Sequence, residues 1–210
     1  MGKTLDLGRR IELNSMDWHC SDISIGLYEH EDAAGTCFVV HTYSSAAGAD
    51  ERLAFIRSGM EKMIGLVADG DKLRFACGTL HLRALKRAFL DLCRKASNEP
   101  LEALPMTAFD KKADGELTIR PEGQGVYEII SEDGSEKGSK RAEATARGFA
   151  KLCEMERADE TPSKVTFPCG QDHHELMAML MFRAQNVRAS MQEEEQAASR
   201  GTLAAPSQQN

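Results

Sequence analysis

Two short stretches of the chain, Phe75-Ala76-Cys77-Gly78-Thr79-Leu80-His81 and Phe167-Pro168-Cys169-Gly170-Gln171-Asp172-His173, share the pattern F-x-C-G-x-x-H. Each follows a run typical of a β-strand and precedes apolar residues at helical spacing, so the pattern marks the same strand-to-helix joint twice. Upstream of the joints, residues 37–63 align without a gap on residues 126–152. Because rare residue types coincide in order and in context, we interpret the chain as an internal duplication.

The duplication predicts an α+β fold in which a tandem β-β-α-β-α unit forms two pseudo-symmetric halves. A helix in the first half is expected to end near Gly70, and Thr79 is expected to cap the next one. In the second half, Asp172 is expected to cap a last helix that ends near residue 192. Strands are predicted in the first half over residues 11–13, 23–28, 37–43 and 72–77, and in the second over 117–120, 126–130 and 164–169.

The predicted organisation follows from the positions of turn-rich and polar segments between the periodic ones. It comprises a first α+β repeat over 1–96, a linker over 97–115, a second α+β repeat over 116–191 and a disordered tail over 192–210.

A glycine stands in the middle of the corresponding predicted helix in each half, Gly59 in the first and Gly148 in the second. Glycine inside a helix costs about 1 kcal/mol relative to alanine. We therefore expect both glycines to mark a close approach of helix to sheet, where a larger side chain would overpack.

Composition places the chain among ordinary folded proteins, with 41% hydrophobic and 28% charged residues in 210. The formal net charge of −7 disfavours an electrostatic grip on nucleic acid or on anionic lipid. The longest apolar run, Leu176 to Phe182, is far shorter than the roughly 20 residues that span a bilayer. The N-terminus lacks a secretory-signal pattern, so we expect a cytoplasmic protein with reduced cysteines and no membrane partner.

The two Cys-Gly-x-x-His segments are the main candidates for chemistry, and three interpretations are open. A cysteine before a helix N-terminus, with a histidine nearby, resembles an activated nucleophile. If the two joints face each other across a pseudo-twofold axis, Cys77, His81, Cys169 and His173 form a two-Cys two-His set suited to zinc. In the third interpretation the same residues only anchor the strand, make the turn and cover the first helical turn.

A second candidate set belongs to one half only. Trp18 stands in a loop of polar and aromatic residues, and the spacing of His41 and Tyr43 places them on one face of a strand. Their counterparts in the second half are Ile130 and Glu132, which differ in chemistry. Trp18, His41 and Tyr43 are therefore the predicted wall of a ligand pocket between the halves, should the protein have one.

Common phosphate-loop, dinucleotide, zinc-protease and serine-hydrolase signatures are absent from the sequence. The last predicted helix is apolar on several sides, which indicates either burial within the chain or a homodimer contact. These features predict a non-enzymatic binding or scaffold module, as a possible homodimer through the last helix. The alternatives are a small-ligand-binding protein or enzyme with a pocket between the halves, and a zinc site at the two joints; no other cofactor is expected.

Overall fold

The computed structural model describes residues 7–13, 24–97 and 117–184, which form an α+β fold with two antiparallel sheets. The α+β class predicted from the sequence is confirmed. Trp18, nearly all of the predicted linker and the whole of the predicted tail lie outside the described residues. None of the helices in the described part of the chain is long and apolar enough to cross a membrane.

The first sheet is built around a long hairpin that pairs in register from Ile25 opposite Thr42 to Asp32 opposite Gly35. Two helices belong to this part of the chain, α1 (Ala49–Ile64) and α2 (Leu82–Ala96), and α1 packs against both the sheet and α2. The strands are β1 (Arg9–Arg10), β2 (Ile25–Asp32), β3 (Gly35–Thr42), β4 (Leu66–Asp69) and β5 (Lys72–Phe75), in the spatial order β1-β2-β3-β5-β4.

The second sheet has three strands in chain order, again starting with a hairpin. They are β6 (Leu117–Gly123), β7 (Val126–Ser131) and β8 (Lys164–Thr166). Helix α3 (Glu136–Cys153) packs on β7 and β8. A fourth helix, α4, begins at residue 174 and is described to residue 184.

Helix α1 ends earlier than the sequence predicts, because Gly65 terminates it. Gly65 adopts a left-handed conformation with φ of 67°, and its N–H donates to the carbonyl of Glu61. The chain then forms β4, a strand that the sequence analysis missed because Val67 continues the helical spacing of α1. Gly70, the predicted stop, instead lies in the turn between β4 and β5.

Three further expectations about element ends are wrong. The N-terminal strand consists of Arg9 and Arg10 rather than residues 11–13. Helix α2 begins after His81, and the N–H of Thr79 donates to the Sγ of Cys77 at 3.3 Å instead of the threonine capping the helix. The carboxylate of Asp172 accepts a hydrogen bond from the N–H of Gly125, so it ties α4 to the β6–β7 turn rather than capping the helix.

A single apolar core unites both sheets and the four helices. It includes Ile56 of α1, Leu85 of α2, Ile129 of β7, Phe149 of α3 and Leu180 of α4, each at most 3% exposed. Cys93 and Cys153 belong to this core, and Cys37 is buried outside it; all three are free thiols. Both parts of the chain therefore fold around shared apolar contacts.

The described part of α4 buries its apolar residues inside the same chain. Leu176, Met177, Met179, Leu180 and Met181 are each at most 7% exposed. Burial within the chain explains the pattern of these five side chains, whereas Phe182 in the same range is only partly buried. The homodimer stays a prediction without support from these residues.

The two mid-helix glycines have different environments. A Cβ on Gly59 would lie 2.3 Å from Cδ2 of Leu92, so this buried glycine allows α1 to approach α2 rather than the sheet. Gly148 is exposed, and a Cβ there would meet nothing within 4 Å. The expected close approach is wrong for Gly148, and at Gly59 the approaching element is a helix.

Candidate metal centre

Each Cys-Gly-x-x-His joint forms the same tight turn at the end of a strand. The N–H of Gly78 donates to the carbonyl of Phe75 at 3.0 Å, and the N–H of Gly170 donates to that of Phe167 at 2.9 Å. Both glycines have positive φ angles, 70° and 67°, which residues with a Cβ rarely adopt. The Phe-x-Cys-Gly spacing therefore places each cysteine inside a turn that only glycine closes easily.

The histidine of each joint stands at the start of the following helix and points its ring back to the cysteine. The Sγ of Cys77 lies 3.3 Å from Nε2 of His81, and the Sγ of Cys169 lies 3.1 Å from Nε2 of His173. The carbonyls of the two histidines accept the first helical hydrogen bonds, from Leu85 and Met177. In each joint, the positions of the cysteine and histidine side chains are therefore fixed by the end of the strand, the turn and the start of the helix.

The two joints face each other, with their histidines buried and their cysteines only partly buried. One potential ligand atom from each of Cys77, His81, Cys169 and His173 lies within 4.8 Å of the other three. The two imidazole rings meet edge to face, with centroids 4.5 Å apart. Four side chains from two distant parts of the sequence thus converge on one point.

Two phenylalanines enclose the imidazoles. Phe75 contacts His81 and His173 with ring centroids 4.9 and 6.3 Å apart, and Phe167 contacts the same rings at 5.5 and 4.6 Å. His81 is only 4% exposed and His173 only 8%. Both cysteines are half-buried, so the nitrogen side of the cluster faces the core and the sulfur side faces the surface.

Burial shifts the pKa values of the ligand side chains. Burial, together with the neighbouring His173, lowers the pKa of His81 to about 4, and burial also lowers the pKa of His173. Both imidazoles are therefore neutral at pH 7 and keep a lone pair for a metal ion. Burial raises the pKa of the Cys169 thiol, which is the opposite of what an activated nucleophile needs.

The sequence analysis missed Tyr127, which holds the second joint in place. Its hydroxyl accepts a hydrogen bond from the N–H of His173 at 2.7 Å and lies 3.2 Å from Nδ1 of His174. Burial raises the pKa of Tyr127 to about 12, so the hydroxyl keeps its proton. The sequence offers one indication of a special role for Tyr127: the residue aligned with it in the first half is Phe38, which has no hydroxyl group.

The second candidate set is only partly described. His41 and Tyr43 do come together, with ring centroids 4.6 Å apart, and the hydroxyl of Tyr43 lies 3.4 Å from that of Tyr28. Tyr43 is 66% exposed, so this pair lies at the surface. A shallow depression beside the start of α3, lined by Ser135, Arg141 and their neighbours, includes neither residue.

No protein-family model, curated protein or solved structure matches the chain.

Proposed function

We propose that the protein is a non-enzymatic binding or scaffold module whose two halves are joined by a zinc ion bound to Cys77, His81, Cys169 and His173. The observation that carries this proposal is the convergence of the four potential ligand atoms within 4.8 Å. They come from two separate strand-to-helix joints, so one ion at this point would connect both sheets.

The donor set fits zinc better than other common ions. Thiolate and imidazole ligands select zinc over magnesium and calcium, which prefer oxygen. Zn–S bonds of about 2.3 Å and Zn–N bonds of about 2.0 Å in a tetrahedron place neighbouring ligand atoms roughly 3.3 to 3.8 Å apart. The Sγ to Nε2 distances of 3.3 and 3.1 Å within the two joints are close to this range.

A site with four protein ligands has no open position for water or substrate, which is the arrangement of structural zinc ions rather than of hydrolytic ones. The surroundings agree with a structural role. The imidazoles are enclosed by Phe75 and Phe167, and the N–H of Thr79 donates to the Sγ of Cys77, a contact that would also stabilise a bound thiolate. Zinc would thus stabilise the fold, and binding of a partner would use its surface.

The zinc proposal goes together with the duplication. Cys77 and Cys169 are 92 positions apart, as are His81 and His173, and in each pair the residues face each other. A pseudo-twofold axis through the cluster would explain why these residues meet, since each would lie close to the axis. A duplicated half-site of one cysteine and one histidine would then complete a four-ligand site.

The test is the metal content of the full chain, purified without a metal-affinity tag. We expect one equivalent of zinc per chain by elemental analysis and a fall in melting temperature when a chelator removes it. Titration of the stripped protein with Co²⁺ should give the intense visible absorption of a tetrahedral site with sulfur ligands.

Cys77→Ser should abolish stoichiometric zinc, whereas Cys20→Ser, which changes a cysteine that is not one of the four proposed ligands, should keep it. Should Cys77→Ser fail to fold, the Co²⁺ titration of the stripped wild-type chain decides the question. Metal-free protein with an unchanged melting temperature in chelator, and no tetrahedral Co²⁺ spectrum, would overturn the proposal.

A further inference from the structure

The histidines and the cysteines of the cluster differ in their exposure to solvent. The imidazoles of His81 and His173 are at most 8% exposed, whereas Cys77 and Cys169 are only half-buried. Small polar molecules from solvent therefore reach the sulfurs before they reach the nitrogens. Sulfur is also the only one of the two ligand types that a mild oxidant changes covalently.

We propose that the cluster is an oxidation-sensitive zinc site, in which hydrogen peroxide links Cys77 to Cys169 as a disulfide and releases the ion. This inference rests on the proposed zinc site. It adds that the two thiolates react together as one dithiol unit and that zinc occupancy depends on their redox state.

The reaction balances with peroxide as the sole oxidant. One thiolate attacks a peroxide oxygen, the O–O bond breaks, and a sulfenic acid and hydroxide form. The second thiolate attacks the sulfenic sulfur, the S–S bond forms and a second hydroxide leaves. Two protons from solvent convert the hydroxides to water, so two electrons pass from the sulfurs to the peroxide. The disulfide is a poor ligand, and two imidazoles alone hold zinc weakly.

The geometry of the joints allows the two sulfurs to close the remaining distance. Their ligand atoms already lie within 4.8 Å. Each cysteine precedes a glycine, Gly78 or Gly170, around which the space for a Cβ is open within 4 Å. A small rotation of either turn therefore meets no packed neighbour at that point.

The other described cysteines are poor competitors for the oxidant. Cys37, Cys93 and Cys153 are at most 2% exposed, and burial raises the pKa of Cys37 and of Cys153. Shielding from solvent slows the reaction of these thiols with peroxide, and the proposed zinc ion would hold only Cys77 and Cys169 as thiolates. Cys20 lies outside the described residues, and its replacement by serine removes it from the experiment.

The experiment uses the full-length Cys20→Ser chain loaded with one equivalent of zinc. Stoichiometric hydrogen peroxide is added, released zinc is followed with a chromogenic chelator, and peptide mass spectrometry identifies disulfides. We expect one zinc released for each Cys77–Cys169 disulfide formed. Reduction with dithiothreitol, its removal by gel filtration and addition of zinc should restore full occupancy.

The outcomes separate the two proposals. A chain that never binds stoichiometric zinc would overturn the proposed function. A chain that binds zinc but keeps it in peroxide, or loses it with sulfinic acids and no Cys77–Cys169 link, would overturn the redox inference and leave the zinc site intact. A disulfide between other cysteines would also contradict the inference.

Discussion

Asp91 of α2 and Arg183 of α4 form an ion pair, and the two residues are 92 positions apart, the same separation that relates Cys77 to Cys169. The ion pair joins α2 to α4 between positions that the predicted duplication, which the fold does not confirm, would make equivalent. Asp91 is 17% exposed and Arg183 is 27% exposed at the side chain.

Replacement of Asp91 should weaken this contact. Arg87 and Arg94 also pair with Asp91, so Asp91→Asn leaves three arginines near one another without their shared acid. Because these side chains are partly exposed to solvent, the repulsion among the arginines is screened. We expect a loss of about 1–2 kcal/mol in the free energy of unfolding. Urea denaturation at low salt measures it.

The matched control is the exposed pair of Arg83 with Glu154, whose side chains are 60% and 49% exposed. Arg83→Gln should change the free energy of unfolding by less than about 0.5 kcal/mol. Equal effects of the two substitutions would show that Asp91 contributes no more than an ordinary surface ion pair.

Tyr127→Phe tests the support of the second joint. The change leaves the buried N–H of His173 without its acceptor, and we expect a loss of about 1–3 kcal/mol in stability. Zinc affinity should fall by about tenfold, since groups that orient metal ligands typically contribute this much. Competition with a chromogenic chelator measures the affinity.

Phenylalanine fits this position sterically, because the aligned residue Phe38 makes the same edge-to-face contact with Phe75, 6.1 Å between centroids, that Tyr127 makes with Phe167 at 5.9 Å. A zinc affinity that stays unchanged in Tyr127→Phe would mean that the hydroxyl only stabilises the fold.

Periodicity predicted the α+β class and most elements because their apolar residues face one shared core. The β2–β3 hairpin and α2 were found for this reason. The ends of elements depend instead on the backbone conformation of single residues. Gly65 terminates α1, and β4 follows it, although the position of Val67 continues the apolar spacing of the helix. The alignment also led us to expect close packing at Gly148 because it matches Gly59. The close packing at Gly59 comes from Leu92 of α2, and the sequence around a glycine does not show which helix lies beside it.

The repeated pattern identified Cys77, His81, Cys169 and His173 as a set before any geometry was known. Whether the four side chains come together depends on how the two parts of the chain pack, and this packing cannot be predicted from residue spacing. Tyr127 escaped notice because its role comes from a hydrogen bond to a backbone N–H 46 residues away. A residue that contacts the main chain leaves no motif in the sequence.

Asp32 should make stability depend on acid pH. Hydrogen bonds from Arg74 and from Lys72 hold the pKa of this carboxyl well below its usual range. A lowered folded-state pKa stabilises the protein above the unfolded value of about 3.9, and the contribution is lost as the pH falls towards the folded-state value. We expect Asp32→Asn to be less stable than wild type at pH 7.

The difference between the two proteins should shrink as the pH falls below about 4. Urea midpoints of both chains, measured in chelator so that zinc release does not contribute, test this. A difference that stays constant from pH 7 to pH 3 would mean that the charge of Asp32 is not what joins β2 to β5.

The two mid-helix glycines provide the last prediction, because one substitution should act in opposite directions. Gly148→Ala adds a methyl group in open space on an exposed helix face, and we expect about 0.5–1 kcal/mol of added stability from helix propensity. Gly59→Ala gains the same propensity but places its Cβ 2.3 Å from Cδ2 of Leu92, which is fully buried and has little room to move. The cost of overpacking should exceed the gain in helix propensity, so we expect a net loss of about 1–2 kcal/mol in the free energy of unfolding. Thermal and urea denaturation of both variants measure the signs, and a stabilising Gly59→Ala would mean that α1 and α2 separate easily at this crossing.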